Sequence, residues 1–416
     1  MGRKSKYEER QGSLFPPKET NKEEKKDITS HNLGFSAHVG NSSSISQGIQ
    51  NNTDPIILYP FNWLYNASVI GFLKVIASNG WENEIEKKWL KDNGTVEIPR
   101  DGEIFKNWFD WYKEYHGGRP PLYGKNNLYP NYINPGKEKR IEDENSLKEW
   151  VEKLIHTKEI NKKYCGLCLR NFDINSNILT QKAKKYVKSK TENFVSSHTA
   201  FLAPAITKFP NALWNLNHSL YICTLCAYLI IHHHIPFQNT KIGNHEIFIN
   251  ANSFKVMWYL NKFAEKVLSK ENEKSIRRIL GLSLIEFSQR IHATLGIWSI
   301  ASIEVVIKKD DYIDYYSLPY DIISILLNSE VSKLINETNE PAVLDRILIG
   351  DFDYLLTVAH YSIRTLYSKK DNNKNNRDDL VLQALGISKN ADYKKLAYRL
   401  PELYAKINSI IRGGTR

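Results

Sequence analysis

The pattern of apolar and polar residues in the N-terminal half of the chain has two different periods, one typical of helices and one typical of strands. Residues 63–77 carry apolar side chains at near-helical spacing, and Asn79-Gly80 follows, which predicts a mostly buried helix that ends there. Residues 104–115 predict an amphipathic helix with Trp108 on its apolar face. Short alternating or apolar runs predict strands at 56–59, 95–98 and 247–249. This half is therefore expected to mix helices and strands.

The pattern changes after Ser275 to long amphipathic segments, which predict a helical bundle. The predicted helical segments are 276–301, 322–335, 344–367 and 379–411. We therefore predict an α+β protein, in which a mixed N-terminal domain stabilised by zinc precedes a C-terminal helical bundle. Its predicted divisions are a polar, flexible arm over 1–54, the mixed domain over 55–270 and the bundle over 271–416.

The zinc prediction comes from the cysteines. The protein has four, arranged as Cys165-x-x-Cys168 and Cys223-x-x-Cys226, with 54 residues between the pairs. Two such turns supply four soft ligands for a tetrahedral ion, most often zinc, and a complete cysteine set leaves no open position for catalysis. A structural zinc site within about residues 160–235 is therefore expected. A redox pair, disulfides and unrelated core cysteines are the alternative interpretations.

Positive charge is concentrated around the first cysteine pair. The chain has a net charge of +11, and residues 117–190 contain 16 Lys or Arg against 8 Asp or Glu, a net +8. Clustered basic charge beside Tyr, Asn and Gly is typical of a surface that grips a phosphate backbone. A solvated lysine-rich surface is the alternative. No apolar run approaches the ~18 residues of a membrane span, so a cytoplasmic protein without membrane contact is expected.

Three segments supply the candidate nucleic-acid contacts. The loop over 117–137 is rich in Gly, Pro, Asn and Tyr, residues 181–190 form a basic helix, and an arginine pair opens the first bundle helix. The candidates are Arg119, Lys125, Asn126, Asn127, Lys182, Lys184, Lys185, Lys188, Arg277 and Arg278. Trp214 is expected to pack over the metal site.

No sequence motif indicates catalysis. The chain lacks a phosphate loop, a dinucleotide fingerprint, a His-Glu-x-x-His helix and a nucleophile elbow. The carboxylate pairs Asp310-Asp311 and Asp351-x-Asp353 leave a metal-dependent nuclease as an alternative. Consecutive residues cannot all face one ion, so His232, His233 and His234 are not expected to form a second metal site. The sequence thus favours a binding protein over an enzyme.

Both cysteine pairs, the segment 63–73 and the segment 246–260 together resemble the large subunit of type I-B CRISPR surveillance complexes (Cascade). The resemblance is to the class that carries two Cys-x-x-Cys motifs, and it covers roughly residues 55–270. The polar arm is longer than that family leads us to expect.

The resemblance implies a non-catalytic subunit of an RNA-guided complex in antiviral defence. Such a subunit recognises the protospacer-adjacent motif beside target double-stranded DNA, stabilises the opened duplex and helps recruit the helicase-nuclease. The implied partners are guide RNA, target DNA, the backbone, small and other subunits of the complex, and the helicase-nuclease effector. A structural scaffold without nucleic-acid contact is a further alternative.

Overall fold

The computed structural model describes most of the chain from Asp54 onward. The described residues are 54–118, 121–123, 132–134, 136–160, 163–192, 194–195, 219–240, 245–270, 275–291, 302–309, 313–368 and 377–413. All of them lie within one unit that spans Asn52–Arg416. The predicted polar arm, apart from Asp54 itself, lies outside the described residues.

Helices make up most of the described structure. In chain order they are α1 (Trp63–Ile76), α2 (Glu82–Glu84), α3 (Gly102–Tyr115), α4 (Lys137–Glu152), α5 (Gln181–Thr191), α6 (Thr224–Leu229), α7 (Phe254–Lys270), α8 (Ile276–Arg290), α9 (Tyr320–Leu327), α10 (Ser329–Thr338), α11 (Pro341–Leu348), α12 (Asp353–Ser368), α13 (Arg377–Ala384) and α14 (Tyr393–Gly413). Short π-helical turns (Ala77–Trp81 and Ile85–Trp89) flank α2, and 3₁₀ turns occupy Lys153–His156, Ser176–Ile178 and Ile230–His232.

The strands form small antiparallel sheets. They are β1 (Ile56–Leu58), β2 (Val96–Ile98), β3 (Lys158–Glu159), β4 (Phe172–Asp173), β5 (Phe194–Val195), β6 (Ser219–Leu220), β7 (Gln238–Asn239), β8 (Glu246–Asn250), β9 (Glu304–Lys308) and β10 (Ile313–Tyr316). Pairs form between β1 and β2, between β3 and β4, and between β5 and β6, and a four-stranded sheet has the order β10-β9-β8-β7. Helices with small sheets agree with the predicted α+β class.

Helix α1 lies at the centre of the N-terminal part. Its N-cap is Asn62, whose side chain accepts a hydrogen bond from the Tyr65 backbone N–H, and almost every residue of the helix is buried. The 3₁₀ turn Ile230–His232 crosses α1 at Gly71, where an added Cβ would lie 2.1 Å from the His232 carbonyl oxygen. The backbone turns at Gly80, which has a φ of 90°. The predicted buried helix and its end are confirmed.

The four-stranded sheet crosses the predicted boundary between residues 270 and 271. Strand β8 pairs with β9 in a register that places Phe248 opposite Val306, and β9 continues into the hairpin with β10. Helices α7 and α8 also pack against each other across this boundary. The sequence interpretation treated 276–301 as one helical segment and did not identify β9 or β10, whereas α8 ends at Arg290. The β-branched run from Ile303 to Ile307 was the available signal.

The C-terminal helices are shorter than predicted. Asn328 separates α9 from α10 because its side chain caps α10 by accepting hydrogen bonds from the Glu330 and Val331 backbone N–H groups. Gly350 and Gly386, with φ values of 80° and 88°, end α11 and the turn after α13. Helix α14 packs against α10 and α12. The helical character predicted after residue 320 is confirmed, and the breaks reflect caps that hydrophobic periodicity does not report.

Candidate metal centre and basic surface

The first cysteine hook, Cys165 to Cys168, lies at the end of the β3–β4 hairpin. The Cys165 backbone N–H donates to the Arg170 carbonyl at 3.1 Å, which closes the loop around both thiols. Leu169 adopts a left-handed conformation with a φ of 57°, and this reverses the chain directly after Cys168. Short-range hydrogen bonds therefore point both thiols of this hook inward.

The second cysteine hook, Cys223 to Cys226, begins helix α6. The Sγ of Cys223 caps the helix by accepting a hydrogen bond from the Cys226 backbone N–H at 3.4 Å. The Thr224 hydroxyl donates to the Phe172 carbonyl of β4 at 2.7 Å. A backbone bond of 2.9 Å from the Gly166 N–H to the Tyr221 carbonyl joins the first hook to the segment directly before the second.

These contacts bring four buried sulfur atoms together. All four Sγ atoms lie within 4.8 Å of one another, and those of Cys168 and Cys223 are 3.9 Å apart. A tetrahedral zinc site with Zn–S bonds of about 2.3 Å requires S···S distances of about 3.8 Å. The four cysteines can therefore hold a metal ion with little rearrangement, and they are not joined as disulfides. Among the described residues they are the only group of three or more His, Cys, Asp or Glu with this arrangement.

Burial disfavours ionised sulfur atoms at this site unless a cation is bound there. Burial raises the pKa of Cys223 and Cys226 well above the ordinary thiol value. Burial also acts to raise the pKa of Cys165, but hydrogen bonds from the other three thiols outweigh it and lower that pKa. Several thiolates in one buried site require a compensating positive charge, and a coordinated metal ion supplies it while deprotonating its ligands.

A half-buried and a buried amide side chain connect the first cysteine hook to α1 and α1 to the sheet. The Asn62 side chain donates to the Leu167 carbonyl inside the first hook at 2.9 Å. One turn later, the Asn66 side chain donates to the Asn250 side chain of β8 at 2.9 Å. The three segments that carry the family resemblance, namely 63–73, 246–260 and the cysteine hooks, thus share one core.

Helix α5 presents the predicted basic surface. Its buried face, which includes Tyr186 and Val187, packs toward α4 and α6. At its C-terminal end the Thr191 carbonyl accepts a hydrogen bond of 3.0 Å from the backbone N–H of Ile222, the residue before Cys223. The basic helix is therefore joined to the second cysteine hook by packing against α6 and by a main-chain bond at the residue that precedes the hook.

The lysines of α5 differ in their surroundings. Lys182 lies 3.3 Å from Glu142, and Lys188 lies 3.6 Å from Glu192, with both lysine side chains largely exposed. Lys185 is exposed and Lys184 is half-buried, and neither pairs with a carboxylate among the described residues. Four of the predicted contacts, Lys182, Lys184, Lys185 and Lys188, thus lie on one helix beside the metal centre.

Lys190, on the same helix, is largely enclosed. Its ammonium lies over the rings of Tyr132 and Tyr186, at 5.2 Å and 5.0 Å from their centroids. Burial lowers the Lys190 pKa to about 8, and the nearby Asp143 carboxylate acts in the opposite direction. Lys190 therefore helps to hold α5 in place and contributes little to the outer surface.

The other predicted nucleic-acid contacts that the structure describes are Arg277 and Arg278. Both contact residues in the C-terminal part of the chain. Arg277 is exposed on α8 and donates to the Tyr316 hydroxyl at 2.9 Å, and Arg278 is half-buried, 3.8 Å from Asp345. The following predicted residues lie outside the described residues: Arg119, Lys125, Asn126, Asn127 and Trp214. Their proposed roles stay predictions.

His232 and His233 are buried, and each ring has a nitrogen within hydrogen-bond distance of a backbone carbonyl. His232 Nδ1 lies 3.0 Å from the Leu229 carbonyl, and His232 Nε2 accepts a 2.7 Å hydrogen bond from the Trp108 indole N–H. Burial lowers the pKa of His232 to about 3, so the ring is neutral at pH 7. His233 is also fully enclosed, and its Nδ1 lies 2.7 Å from the Ile230 carbonyl. Neither histidine belongs to a metal-ligand group among the described residues.

The acidic pairs offer no ligand group in the described part of the chain. Asp351 accepts a hydrogen bond of 3.1 Å from Arg346, and Asp353 begins α12. Asp310 and Asp311 lie outside the described residues.

The sequence interpretation did not single out Asn62, Asn171 or Tyr221, which lie next to the hooks, or Asn66, which joins α1 to β8. For Asn62 a signal existed, because Asn immediately before an apolar helix is a preferred N-cap. No local pattern marks Asn171 and Tyr221, whose side chains meet across 50 residues through a 3.0 Å hydrogen bond.

No protein-family model, curated protein or solved structure matches this chain in comparisons with known proteins. Within the described residues, every helix is too short or too polar to cross a bilayer.

Proposed function

We propose that this chain is a non-catalytic DNA-binding subunit of an RNA-guided surveillance complex, in which a structural zinc ion fixes the orientation of a basic helix. The main support is the bond between the Thr191 carbonyl at the end of α5 and the Ile222 N–H at the start of the second hook. It couples the lysines of α5 to the four-cysteine site, so an ion that orders the hooks also orders the basic surface.

Zinc fits this site because soft thiolates select it and four of them complete a tetrahedral structural centre. Cys165, Cys168, Cys223 and Cys226 would hold the ion. When bound, it supplies cross-linking of two distant chain segments and no reactive position. The hydrogen bonds from backbone N–H groups to Cys165 and Cys223 add partial positive charge beside the thiolates.

The proposal includes the role implied by the family resemblance. The subunit recognises a short motif beside the target, contacts the opened DNA and offers a surface to the helicase-nuclease, while guide RNA reads the sequence by base pairing. Within this division of labour, the α5 lysines make backbone contacts that are independent of sequence. The cysteine hooks contain no basic residue, and in this proposal their role is to hold α5 in a fixed position.

The test measures DNA affinity as a function of salt concentration. A quadruple variant, Lys182→Gln, Lys184→Gln, Lys185→Gln and Lys188→Gln, is expected to bind DNA of any sequence more weakly and to reduce the salt slope by roughly 2–4, since each lost phosphate contact removes about 0.9.

The matched control removes the same charge from exposed lysines of the C-terminal helices and the turn before α14. These residues are Lys333, Lys389, Lys394 and Lys395. The control variant is expected to keep the wild-type slope. Equal slopes for both variants would contradict the proposal that α5 contacts DNA. If the wild-type chain retains no DNA at about 100 mM salt, the scaffold alternative is favoured instead.

A further inference from the structure

A cleft of about 390 Å³ lies between α5 and the segments that flank the two cysteine hooks. We call it the hook–helix cleft. Helix α5 contributes Lys184, Val187, Lys188 and Thr191 to one side, at the spacing of a single helix face. The opposite side comes from β4 and the segments next to the hooks, including Asn171, Ile174 and Tyr221. Small-molecule sites typically have volumes of about 300–1000 Å³, so the cleft can enclose one nucleotide.

The cleft has cationic groups on its rim. Lys163, Lys184 and Lys188 line it, and Lys163 and Lys184 pair with no carboxylate among the described residues. Lys163 Nζ lies 5.4 Å from the centroid of the Tyr221 ring. A cation beside a half-buried aromatic ring is a combination that can bind a strand through its phosphates and its bases.

The interior of the cleft suits a base. Ile174, Leu179 and Val187 provide apolar side chains, and Tyr221 provides an aromatic wall held by the hydrogen bond from its hydroxyl to the Asn171 side chain. Two carboxylates, Asp173 and Glu192, also line the cleft and can accept hydrogen bonds from the N–H groups of a base, including the ring N3–H of thymine. A pure phosphate groove would not need apolar walls or acceptors.

We propose that the hook–helix cleft binds one nucleotide of a single strand, with its phosphate at Lys184 and Lys188 and its base against Tyr221. This inference rests on the proposed DNA-binding function and assigns a specific subsite to it. Because Tyr221 and Thr224 flank Cys223, the same metal centre that orients α5 also fixes the wall of the cleft.

The experiment titrates the zinc-loaded full chain with a short fluorescein-labelled oligothymidylate. Lys184→Glu is expected to weaken binding about tenfold, because it reverses a charge inside the cleft. Lys185→Glu, at the adjacent residue outside the cleft lining, removes only a backbone contact and is expected to weaken binding clearly less than Lys184→Glu does. Lys106→Glu, on the exposed side of α3, controls for net charge and is expected to leave binding unchanged. Circular dichroism and metal content verify that each variant is folded.

A second readout locates the base. An oligonucleotide that contains 5-iododeoxyuridine is irradiated in the complex, and mass spectrometry identifies the cross-linked residue. We expect cross-linking at Tyr221 that is lost in Lys184→Glu. Cross-linking at other residues with none at Tyr221 would overturn the assignment of the subsite.

The outcomes separate the subsite from the wider proposal. Equal losses for Lys184→Glu and Lys185→Glu would overturn the cleft while leaving DNA binding by α5 intact. A wild-type chain that binds neither the oligothymidylate nor longer DNA would overturn both. An oligoglutamate of equal charge is the competitor, and if it displaces the oligonucleotide as well as unlabelled oligothymidylate does, the cleft is an anion site and the nucleotide assignment fails. Tighter binding of oligothymidylate or oligouridylate than of the oligoglutamate supports the nucleotide assignment. The tighter binder of the two oligonucleotides shows whether DNA or RNA is preferred.

Discussion

Replacement of Asn66 by alanine tests whether a buried side chain joins the start of α1 to the four-stranded sheet. The Asn66 side chain is fully buried and makes three hydrogen bonds. It accepts from the Phe61 N–H at 2.8 Å, donates to the Phe61 carbonyl at 3.1 Å and donates to the Asn250 side chain at 2.9 Å.

The magnitude follows from what each partner loses in Asn66→Ala. The Asn250 side-chain oxygen is buried, and leaving it without a donor costs about 1–3 kcal/mol. Phe61 is exposed, so its backbone groups can bind water and the loss of both bonds there costs about 1 kcal/mol. The free energy of unfolding should therefore fall by about 2–4 kcal/mol.

The assay is urea denaturation of the zinc-loaded protein, monitored by far-ultraviolet circular dichroism. The urea midpoints of the variants are compared, provided that the dependence of the unfolding free energy on urea concentration is unchanged. The matched control is Asn252→Ala, which truncates an exposed asparagine next to the same strand and should change the free energy by less than about 0.5 kcal/mol. Indistinguishable midpoints for Asn66→Ala and Asn252→Ala would refute the reasoning, because Asn66 would then contribute no net stabilisation.

Two further predictions concern the place where α1 packs against the turn Ile230–His232. Gly71→Ala should destabilise the protein by about 1–3 kcal/mol in the same denaturation assay, because the new Cβ would lie 2.1 Å from the His232 carbonyl oxygen. The control is Gly102→Ala, which has open space around it and should be neutral or slightly stabilising. Equal effects of the two substitutions would contradict the close approach of the turn to α1. Burial lowers the pKa of His232 to about 3, so the unfolded chain binds a proton below about pH 6.5 that the native chain does not. Stability should therefore fall as the pH drops from about 6.5 toward 3, by up to about 1.4 kcal/mol per pH unit from this residue, and His232→Gln should reduce that slope in urea titrations at several pH values. An unchanged slope would show that His232 takes up its proton in the folded state.

The sequence predicted the features that depend on local pattern. Helix α1 followed from its apolar spacing and from Gly80, whose φ of 90° ends it. The convergence of the cysteines followed from their paired spacing, since each Cys-x-x-Cys turn directs two thiols to one point. Both features are encoded within short stretches of chain.

Other features depend on long-range contacts and could not be predicted locally. Strand β9 is stabilised by pairing with β8, where Asn250 lies opposite Glu304, and periodicity alone does not distinguish such a run from the end of a helix. The five lysines of α5, at 182, 184, 185, 188 and 190, are spaced so that they point in different directions around a helix. Packing against α4 and α6 decides which of them face outward, and it leaves Lys185 exposed while Lys190 is enclosed.

The most direct test of the account is the zinc content of the purified full-length chain, measured by mass spectrometry of the elements, beside that of a Cys165→Ser and Cys223→Ser double variant. We predict one zinc ion per wild-type chain and none in the variant, because one thiolate is removed from each hook. A folded wild-type chain that contains no zinc, or a variant that retains the full amount, would contradict the claim that the two hooks hold a single metal ion.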